Sequence, residues 1–357
     1  MNTQTRIHFQ SGLLSCLLMT SMLASLQAGD TLKFGGPETS HSQLSFDEVD
    51  HSSFNMLLRH YVDGRGRVCY RHWAKNGCDI NRLQTYLFYL TQVDPSRQAT
   101  QEATMAYYIN AYNALTLWGI LDNYPVVSIQ KIDGKNSRYS IFDDLLLWVG
   151  HRYLSLNEIE NEALRPMGDN RIHFALVCAA RGCPRLRNEA YYANFLDRQL
   201  SDNAVEFFSD RSRFHIAHLT GKVKISPILK WYQEDFGNND YDVVSSVFPY
   251  LPAEHRHWLA THPGWTLSHL GYDWGLNDGC PTLPIALGKI PYRAYSRISP
   301  FISPLLPSND RATTTSDSTT SDSTTQNADT TIRNQQPLFE PEFPPPLPDL
   351  DLSADAF

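Results

Sequence analysis

The stretch "TQEATMAYYINAYNALTLWGILDNYP", residues 100–125, decides the fold because it is the strongest helical pattern in the chain. Thr100 is typical of a helix N-cap, Glu102 adds an acidic charge to the first turn, and Pro125 marks the end of the helix. Apolar residues occur on nearly every side, whereas a surface helix carries a single apolar stripe. The pattern therefore predicts a buried helix at the centre of the domain.

Shorter elements are predicted on both sides of this helix. Helices are predicted over 45–62, 79–93, 155–168, 188–210 and 227–237, a strand over 171–178, and a hairpin over 213–226 that turns at Thr220 and Gly221. Ser155, with Glu158 three residues later, forms the sequence signature of a capping box. Together these elements predict the α+β class, as a predominantly helical single domain around a small, mostly antiparallel sheet.

The composition allows a sizeable core and argues against nucleic acid as a partner. The chain has 357 residues, of which 42% are hydrophobic. Its formal net charge is −8, but nine acidic and two basic residues in 308–357 account for −7 of that charge. The remaining residues are near neutral and show no basic stripe of the kind that attracts nucleic acid.

Both ends of the chain differ from the middle. Residues 1–28 predict a signal peptide: Arg6 is the only Lys, Arg, Asp or Glu before Asp30, and the apolar run 13–28 is short for a membrane span and ends in small residues. A retained signal anchor is the alternative. We predict a loose leader over 29–44, a globular domain over 45–307, and a disordered acidic tail, rich in Thr, Ser and Pro, over 308–357. The protein is thus expected to be periplasmic or secreted, with no membrane span once the signal is removed.

The cysteines fit an exported protein, because an oxidising compartment permits disulfides. Five cysteines follow the predicted signal peptide, and the odd count implies a free thiol or an intermolecular bridge. Cys69 and Cys78 flank a loop-like segment and are predicted to form a disulfide. His72 lies between them, but the spacing matches no zinc pattern, and we predict neither a metal site nor a cofactor.

The segment "HFALVCAARGCPRL", 173–186, carries the candidate chemistry. On the predicted strand, His173 and Cys178 face opposite sides about 17 Å apart, which excludes a dyad between them and makes Cys178 a core thiol. Cys183 lies in the loop ahead of the next helix, where backbone N–H groups lower a thiol pKa. Cys183 is therefore either a nucleophile, an inert thiol, or one half of a disulfide with Cys178.

Other polar residues are candidates for supporting roles. Asn110 and Asn113 share one face of the central helix and either pin neighbouring loops or orient a catalytic histidine. Glu160 is the predicted partner of the second ring nitrogen of His173. The predicted substrate-binding residues are Arg171, Arg181, Arg185 and Tyr112.

Five stretches also carry a family resemblance: "YYINAYNALTLWGILDNYPVVSI", "SLNEIENEALR", "RIHFALVCAARGCPRL", "KISPILKWYQEDFG" and "YDWGLN". In this order, over about 45–280, the chain resembles the family called domain of unknown function 547, whose name leaves its activity open. The resemblance places Asn110, Asn113, Glu160, Arg165, Arg171, His173, Cys178 and Cys183 on family-motif positions. Asn161 departs from the family, which usually has histidine there. Cys69, Cys78 and the tail lie outside the family pattern.

Two functions from different classes follow. The first is an exported thiol-dependent hydrolase or acyltransferase acting on a small molecule or peptide, with Cys183 as nucleophile, His173 as base if the loop folds back, and Asn110 or Asn113 as the orienting amide. The alternative is a non-catalytic binding module for an envelope protein partner, in which the Cys, His and Asn motifs are structural. A metal-dependent function ranks last. An open cleft that holds the Cys183 sulfur ~3–4 Å from an imidazole would favour the enzyme, whereas a buried or disulfide-bonded Cys183 would favour the binding module.

Overall fold

The computed structural model describes residues 31–37, 43–135 and 137–280, so the predicted signal peptide and acidic tail lie outside the described residues. Within these ranges the helices are α1 Ser52–Tyr61, α2 Tyr70–Trp73, α3 Gly77–Leu90, α4 Gln101–Asn123, α5 Leu156–Glu158, α6 Leu196–Ser209, α7 Ile228–Trp231, α8 Gln233–Phe236, α9 Asp240–Val247 and α10 Ala253–Thr261. The strands are β1 Leu32–Phe34, β2 Leu145–Val149, β3 Arg152–Leu154, β4 Phe214–Ala217, β5 Lys222–Ile225 and β6 Thr266–His269. This confirms the α+β class.

Helix α4 is the buried central helix that the sequence predicts. Thr100 caps it, because its side chain accepts a hydrogen bond from the backbone N–H of Ala103. Buried residues run along all sides of the helix, from Ala103 to Leu121. At Gly119 a Cβ would lie 2.4 Å from the Ile141 side chain, so glycine permits the close approach of the segment before β2. In the described part of the chain, no helix is long and apolar enough to cross a membrane.

The strands form two separate three-stranded sheets, and each sheet is mixed. In the first, β2 pairs in parallel with β1 and antiparallel with β3. In the second, β5 pairs antiparallel with β4 and in parallel with β6. The β4–β5 pair is the predicted hairpin, and Gly221 has the positive φ of 61° that its turn requires. Strand β1 lies within the segment predicted as a loose leader.

Two hydrophobic clusters fill the interior. The first surrounds α4, and the second lies beneath β4–β6 and α7–α10. Helix α6 joins them, since Leu200 packs in the first cluster and Phe207 in the second. The segment 172–176 also bridges them, with Ile172 in the first and Phe174 in the second. The residues between the two clusters are therefore well placed to form a site.

The predicted strand over 171–178 is wrong. Asn170–Phe174 forms a 3₁₀ turn, begun by Asp169, whose side chain accepts from the N–H of Arg171. Beyond the turn, the Asn113 amide donates to the Ala175 carbonyl and accepts from the Val177 N–H. These two hydrogen bonds satisfy backbone groups that a sheet partner would otherwise satisfy. The alternation of faces along a strand consequently does not apply here.

Two other predicted helices differ in their extent. The helix predicted from residue 188 begins only at Leu196, because side chains take the preceding N–H groups. The side-chain oxygens of Asn55, Asn110 and Gln199 accept hydrogen bonds from the backbone N–H groups of Ala190, Tyr191 and Tyr192, respectively. The helix predicted over 155–168 has the expected capping box at Ser155 and Glu158, but continues after α5 as a π-helical turn, Ile159–Leu164.

The predicted disulfide between Cys69 and Cys78 is also wrong. Cys69 pairs with Cys280, with a Cα–Cα distance of 4.9 Å, and Cys78 is an exposed free thiol. Cys78 belongs to the first turn of α3, whereas the N–H of Gly279 bonds to the Val68 carbonyl and brings Cys280 to Cys69. Long-range backbone pairing, rather than proximity along the chain, selects the partner.

Candidate functional site

A cleft with a volume of about 140 Å³ opens between the two hydrophobic clusters. We call it the aromatic cleft after six of its lining residues, Tyr112, Phe142, Trp231, Tyr232, Tyr272 and Trp274. Glu160, His173, Cys178 and Cys183 also line it. The structure thus gathers four of the motif residues around one cleft, including His173 and Cys178, which the strand prediction placed on opposite faces.

Glu160 is the buried carboxyl group of the aromatic cleft. It lies in the π-helical turn after α5 and is 6% exposed. Burial raises the pKa of Glu160, against the lowering effect of hydrogen bonds from the hydroxyls of Tyr232 and Tyr112. A carboxyl group with a raised pKa keeps its proton to a higher pH than a free one, which suits a group in a cleft to acid–base chemistry. π-Helical turns also occur often at functional sites.

Cys183 does not carry a free thiol in this structure, since Cys178 and Cys183 form a disulfide with a Cα–Cα distance of 6.3 Å. Its Sγ accepts from the Cys178 N–H at 3.0 Å and from the Tyr272 hydroxyl at 3.1 Å. The same hydroxyl lies 3.3 Å from Cys178 Sγ. Among the described residues, these two donors are the hydrogen-bond partners of the Cys183 sulfur, and neither is an imidazole.

Pairing with the chain beyond β6 holds the cysteine loop in place. The N–H groups of Arg181 and Gly182 donate to the carbonyls of Gly275 and Asp273, at 2.8 Å each. A Cβ on Gly182 would lie 2.9 Å from the Tyr272 ring, so glycine lets that ring approach the loop. This pairing places the Tyr272 hydroxyl against both sulfurs.

Asp235, not Glu160, is the partner of His173, so the predicted Glu160–His173 pair is wrong. The His173 Nε2 lies 2.7 Å from Asp235 Oδ2, and Arg165 binds both oxygens of the same carboxylate. Burial lowers the pKa of His173, against the raising effect of Asp235. Glu160 turns instead to Tyr232 and Tyr112. The His173 ring stacks on Tyr232 with centroids 4.1 Å apart, so it can position that tyrosine.

The remaining motif residues lie outside the aromatic cleft. The amide of Asn110 bonds both backbone polar groups of Tyr191, just as the Asn113 amide bonds the 175–177 segment. These contacts favour the loop-pinning hypothesis for both asparagines. Arg171 is bound by Asp169 and Asp197 and does not line the aromatic cleft. Asn161, where the family usually has histidine, is exposed and accepts from Arg165.

A second cavity, with a volume of about 560 Å³, adjoins the aromatic cleft and shares Cys183, Pro184 and Tyr272 with it. We call it the arginine cavity, because Arg65, Arg67, Arg181, Arg185 and Arg213 line it. Arg181 pairs with Asp273 and Arg213 with Asp210. Within the described ranges, the other three arginines form no ion pair.

One group of side chains within the described residues has the spacing of metal ligands. The ligand atoms of Cys69, His72 and Cys280 lie within 4.8 Å of one another. However, Cys69 and Cys280 form a disulfide, and zinc binds the thiolate form of cysteine. The oxidised form described here therefore offers only the imidazole of His72 as a ligand.

Several residues of the site were missed at the sequence level. Trp231, Tyr232 and Asp235 come from "WYQED", and Tyr272 and Trp274 from "YDW", both in stretches that carried the resemblance. The available signal was the clustering of aromatic and acidic residues in two short segments. This clustering could not predict that the two segments join the same site as Glu160 and the cysteines, because both segments are distant from those residues in sequence.

The fold and site together define an α+β protein with a buried carboxyl group and a disulfide in one aromatic cleft. Residues 96–208 match the family model described as "Protein of unknown function, DUF547", which confirms the resemblance predicted from the sequence. The matched residues include α4, Glu160, His173 and both cysteines of the cleft, but not Asp235 or Tyr272. Comparisons with curated proteins and with solved structures found no match.

Proposed function

We propose that the protein is a thiol-dependent hydrolase or acyltransferase whose nucleophile is Cys183, released when the Cys178–Cys183 disulfide is reduced. The two hydrogen bonds to Cys183 Sγ, from the Cys178 N–H and the Tyr272 hydroxyl, are the observation that carries this proposal. Donors of this kind stabilise a thiolate and lower the pKa of its thiol. Once reduced, Cys183 would have the environment of a nucleophile while still facing the aromatic cleft.

Glu160 supplies the acid–base chemistry in this proposal. The Cys183 thiolate attacks the acyl carbon of the substrate, and the protonated Glu160 gives its proton to the leaving group. The resulting carboxylate then takes a proton from the water or acceptor that releases the acyl group from sulfur. His173 is a positioning residue rather than the base, because its Nε2 is bound to Asp235 and its ring supports Tyr232.

The arginine cavity supports a substrate that carries an anionic group. Arg185 donates to the Gly64 carbonyl, so the Arg65–Arg67 turn lies beside it. Arg181 and Arg185, predicted from the sequence as substrate-binding residues, line the cavity with three further arginines. A carboxylate or phosphate bound there would place the attached acyl group near Cys183, which both cavities share.

The experiment is the turnover of p-nitrophenyl acetate by the oxidised and the reduced full chain. We expect reduction to increase the rate and Cys183→Ala to abolish the increase. Cys78→Ala is the matched control, since it removes an exposed free thiol and is expected to leave the rate unchanged. Equal rates for reduced wild type and Cys183→Ala, with native circular dichroism, would refute the nucleophile.

The second candidate is the non-catalytic binding module. It is favoured by the disulfide at Cys183 and by the backbone contacts of the Asn110 and Asn113 amides. Here the aromatic cleft and its exposed Trp231 would bind a partner in the oxidised form. An envelope protein captured equally well by wild type and Cys183→Ala, without any thiol-dependent turnover, would select this candidate.

Export also remains a proposal. The signal-peptide pattern of residues 1–28 supports a periplasmic or secreted protein, and the two disulfides are of the kind that persist in oxidising compartments. Fractionation of cells that produce the full chain tests the location. A cytoplasmic protein with an intact N-terminus would contradict it.

A further inference from the structure

The two residues of the Cys178–Cys183 disulfide both line the aromatic cleft but differ in exposure. Cys178 is partly exposed, whereas Cys183 is 4% exposed. In thiol–disulfide exchange, the attacking sulfur must reach one sulfur of the bond and displace the other. The difference in exposure makes Cys178 the sulfur that is attacked and Cys183 the leaving group.

The predicted leaving group is also the better stabilised sulfur. Cys183 Sγ already accepts from the Cys178 N–H and the Tyr272 hydroxyl, and both donors can remain when it becomes a thiolate. The Arg213 guanidinium, which donates to the Cys183 carbonyl, adds a positive charge nearby. A leaving thiol with a lower pKa departs faster.

The two disulfides also differ in what they contribute to the fold. Cys69–Cys280 joins residues 211 positions apart, whereas Cys178–Cys183 spans only five. In the chain-entropy model the stabilisation from closing a loop rises with loop length, so the short loop gains less than the long one. The short loop is in any case held by Asn113, by the pairing of Arg181 with Gly275 and by the bond from the Asn277 N–H to the Ala179 carbonyl. Its disulfide can therefore open without loss of the fold.

From these observations we propose that the Cys178–Cys183 pair has a thiol–disulfide exchange activity towards small thiols that enter the aromatic cleft. A substrate thiolate attacks Cys178 Sγ and forms a mixed disulfide, while the electron pair of the broken bond passes to Cys183 Sγ. A second substrate thiolate attacks the substrate sulfur of the mixed disulfide. Cys178 then leaves as a thiolate and takes a proton from water. Two thiols are oxidised to one disulfide, and the protein disulfide is reduced.

This inference rests on the site of the proposed function but does not require hydrolase activity. The exchange step opens the disulfide and so would release the Cys183 nucleophile. An exchange measurement therefore tests the redox step, and p-nitrophenyl acetate turnover after complete reduction tests the nucleophile. Either result can fail while the other stands, which keeps the two proposals distinguishable.

The test follows reduction of the native, oxidised full chain by 2-mercaptoethanol, with alkylation and peptide mass mapping at each time. We expect Cys178–Cys183 to open at least about tenfold faster than Cys69–Cys280, the internal control. Tyr272→Phe removes one donor to the leaving sulfur and is expected to slow the opening about three- to tenfold. Tyr241→Phe, an exposed tyrosine outside both cavities, is the matched control.

A trapping experiment identifies the attacked sulfur. Cys183→Ser leaves Cys178 unpaired, and bis(2-hydroxyethyl) disulfide is expected to form a mixed disulfide with it. In Cys178→Ser, the buried Cys183 is expected to form the adduct at least about tenfold more slowly. Equal opening of the two native disulfides, an unchanged rate in Tyr272→Phe, or faster adduct formation at Cys183 would overturn the inference. Circular dichroism checks that each variant is folded.

Discussion

The Nε2 of His173 lies 2.7 Å from Oδ2 of Asp235, 62 residues further along the chain. Burial by itself would raise the pKa of Asp235, but hydrogen bonds from Arg165 and His173 outweigh this effect, and the pKa falls below its usual 3.8. Asp235 is therefore ionised at neutral pH, and the neutral imidazole donates to it. Because His173 also stacks on Tyr232, this hydrogen bond supports the tyrosine that bonds Glu160.

Asp235→Asn is expected to lower the free energy of unfolding by about 1–3 kcal/mol, because Arg165 and His173 lose a charged acceptor. Urea unfolding measures the change. Glu234→Gln is the matched control, since Glu234 also pairs with Arg165 but is 76% exposed. That variant should stay within about 0.5 kcal/mol of wild type. Similar losses in the two variants would show that the His173–Asp235 contact does not contribute more to the free energy of unfolding than an exposed ion pair does.

Removal of the long-range disulfide by Cys280→Ser should lower the free energy of unfolding by about 2–5 kcal/mol. Cys69–Cys280 closes a loop of 211 residues, and its loss frees the unfolded chain more than the loss of a short loop would. Cys78→Ser is the control and should change little, because Cys78 is an exposed free thiol. Peptide mapping without reduction should find Cys69 alkylated in Cys280→Ser. A native Cys69–Cys78 peptide in wild type would contradict the pairing.

Patterns that act within one element could be predicted from the sequence. The Thr100 cap, the Ser155–Glu158 box and the apolar character of 103–121 all lie inside single helices, and each appears in the structure as expected. The hairpin at Gly221 is similarly local. These features depend on neighbours three or four residues away, or on a single turn, and composition and spacing record them directly.

The parts of the site that could not be predicted depend on contacts between residues that are distant in sequence. "RIHFALVC" has the composition of a strand, yet the Asn113 amide takes its backbone bonds and a 3₁₀ turn forms instead. Proximity in sequence predicts Glu160 as the partner of His173, but the partner in the structure is Asp235, which comes from α8. The sequence identifies both Glu160 and Cys183 as candidate site residues. Their convergence on one cleft depends on tertiary packing, which spacing along the chain does not record.

His51 should make the fold sensitive to acid. Burial lowers the pKa of His51 to about 4, with an opposing effect from Asp50, and its Nδ1 shares a hydrogen bond with the Tyr86 hydroxyl. The unfolded chain binds a proton near pH 6.5, whereas the folded protein does so only near pH 4. The contribution of His51 to the free energy of unfolding is therefore fully present above about pH 6.5. It is lost as the pH falls towards 4, and the loss is about 3 kcal/mol at most.

The measurement is urea unfolding of wild type and His51→Asn at pH 7.5 and 4.5. The Asn oxygen can still accept a hydrogen bond, but it does not titrate. We expect the variant to lose about 1–3 kcal/mol less than wild type between these pH values. His72→Asn, at an exposed position, should follow wild type. If His51→Asn loses as much as wild type, His51 does not cause the acid sensitivity.

Glu160→Gln is expected to raise the free energy of unfolding by about 0.5–2 kcal/mol at pH 8 while reducing turnover by the reduced protein. Burial raises the pKa of Glu160, so the folded protein binds this proton more tightly than the unfolded chain. The stability from this group is present below about pH 4.5 and is lost as the pH rises through the raised pKa. The gain of the variant should therefore vanish near pH 4.

The matched control is Glu162→Gln, in the same turn but at a position where the carboxylate is 49% exposed and pairs with Arg152. It is expected to change stability by less than about 0.5 kcal/mol at either pH. A loss of stability in Glu160→Gln at pH 8 would identify Glu160 as a structural anion of the fold. A gain in stability with a loss of turnover is what a buried carboxyl group kept for acid–base chemistry should give, because its burial opposes folding and only catalysis would need its proton.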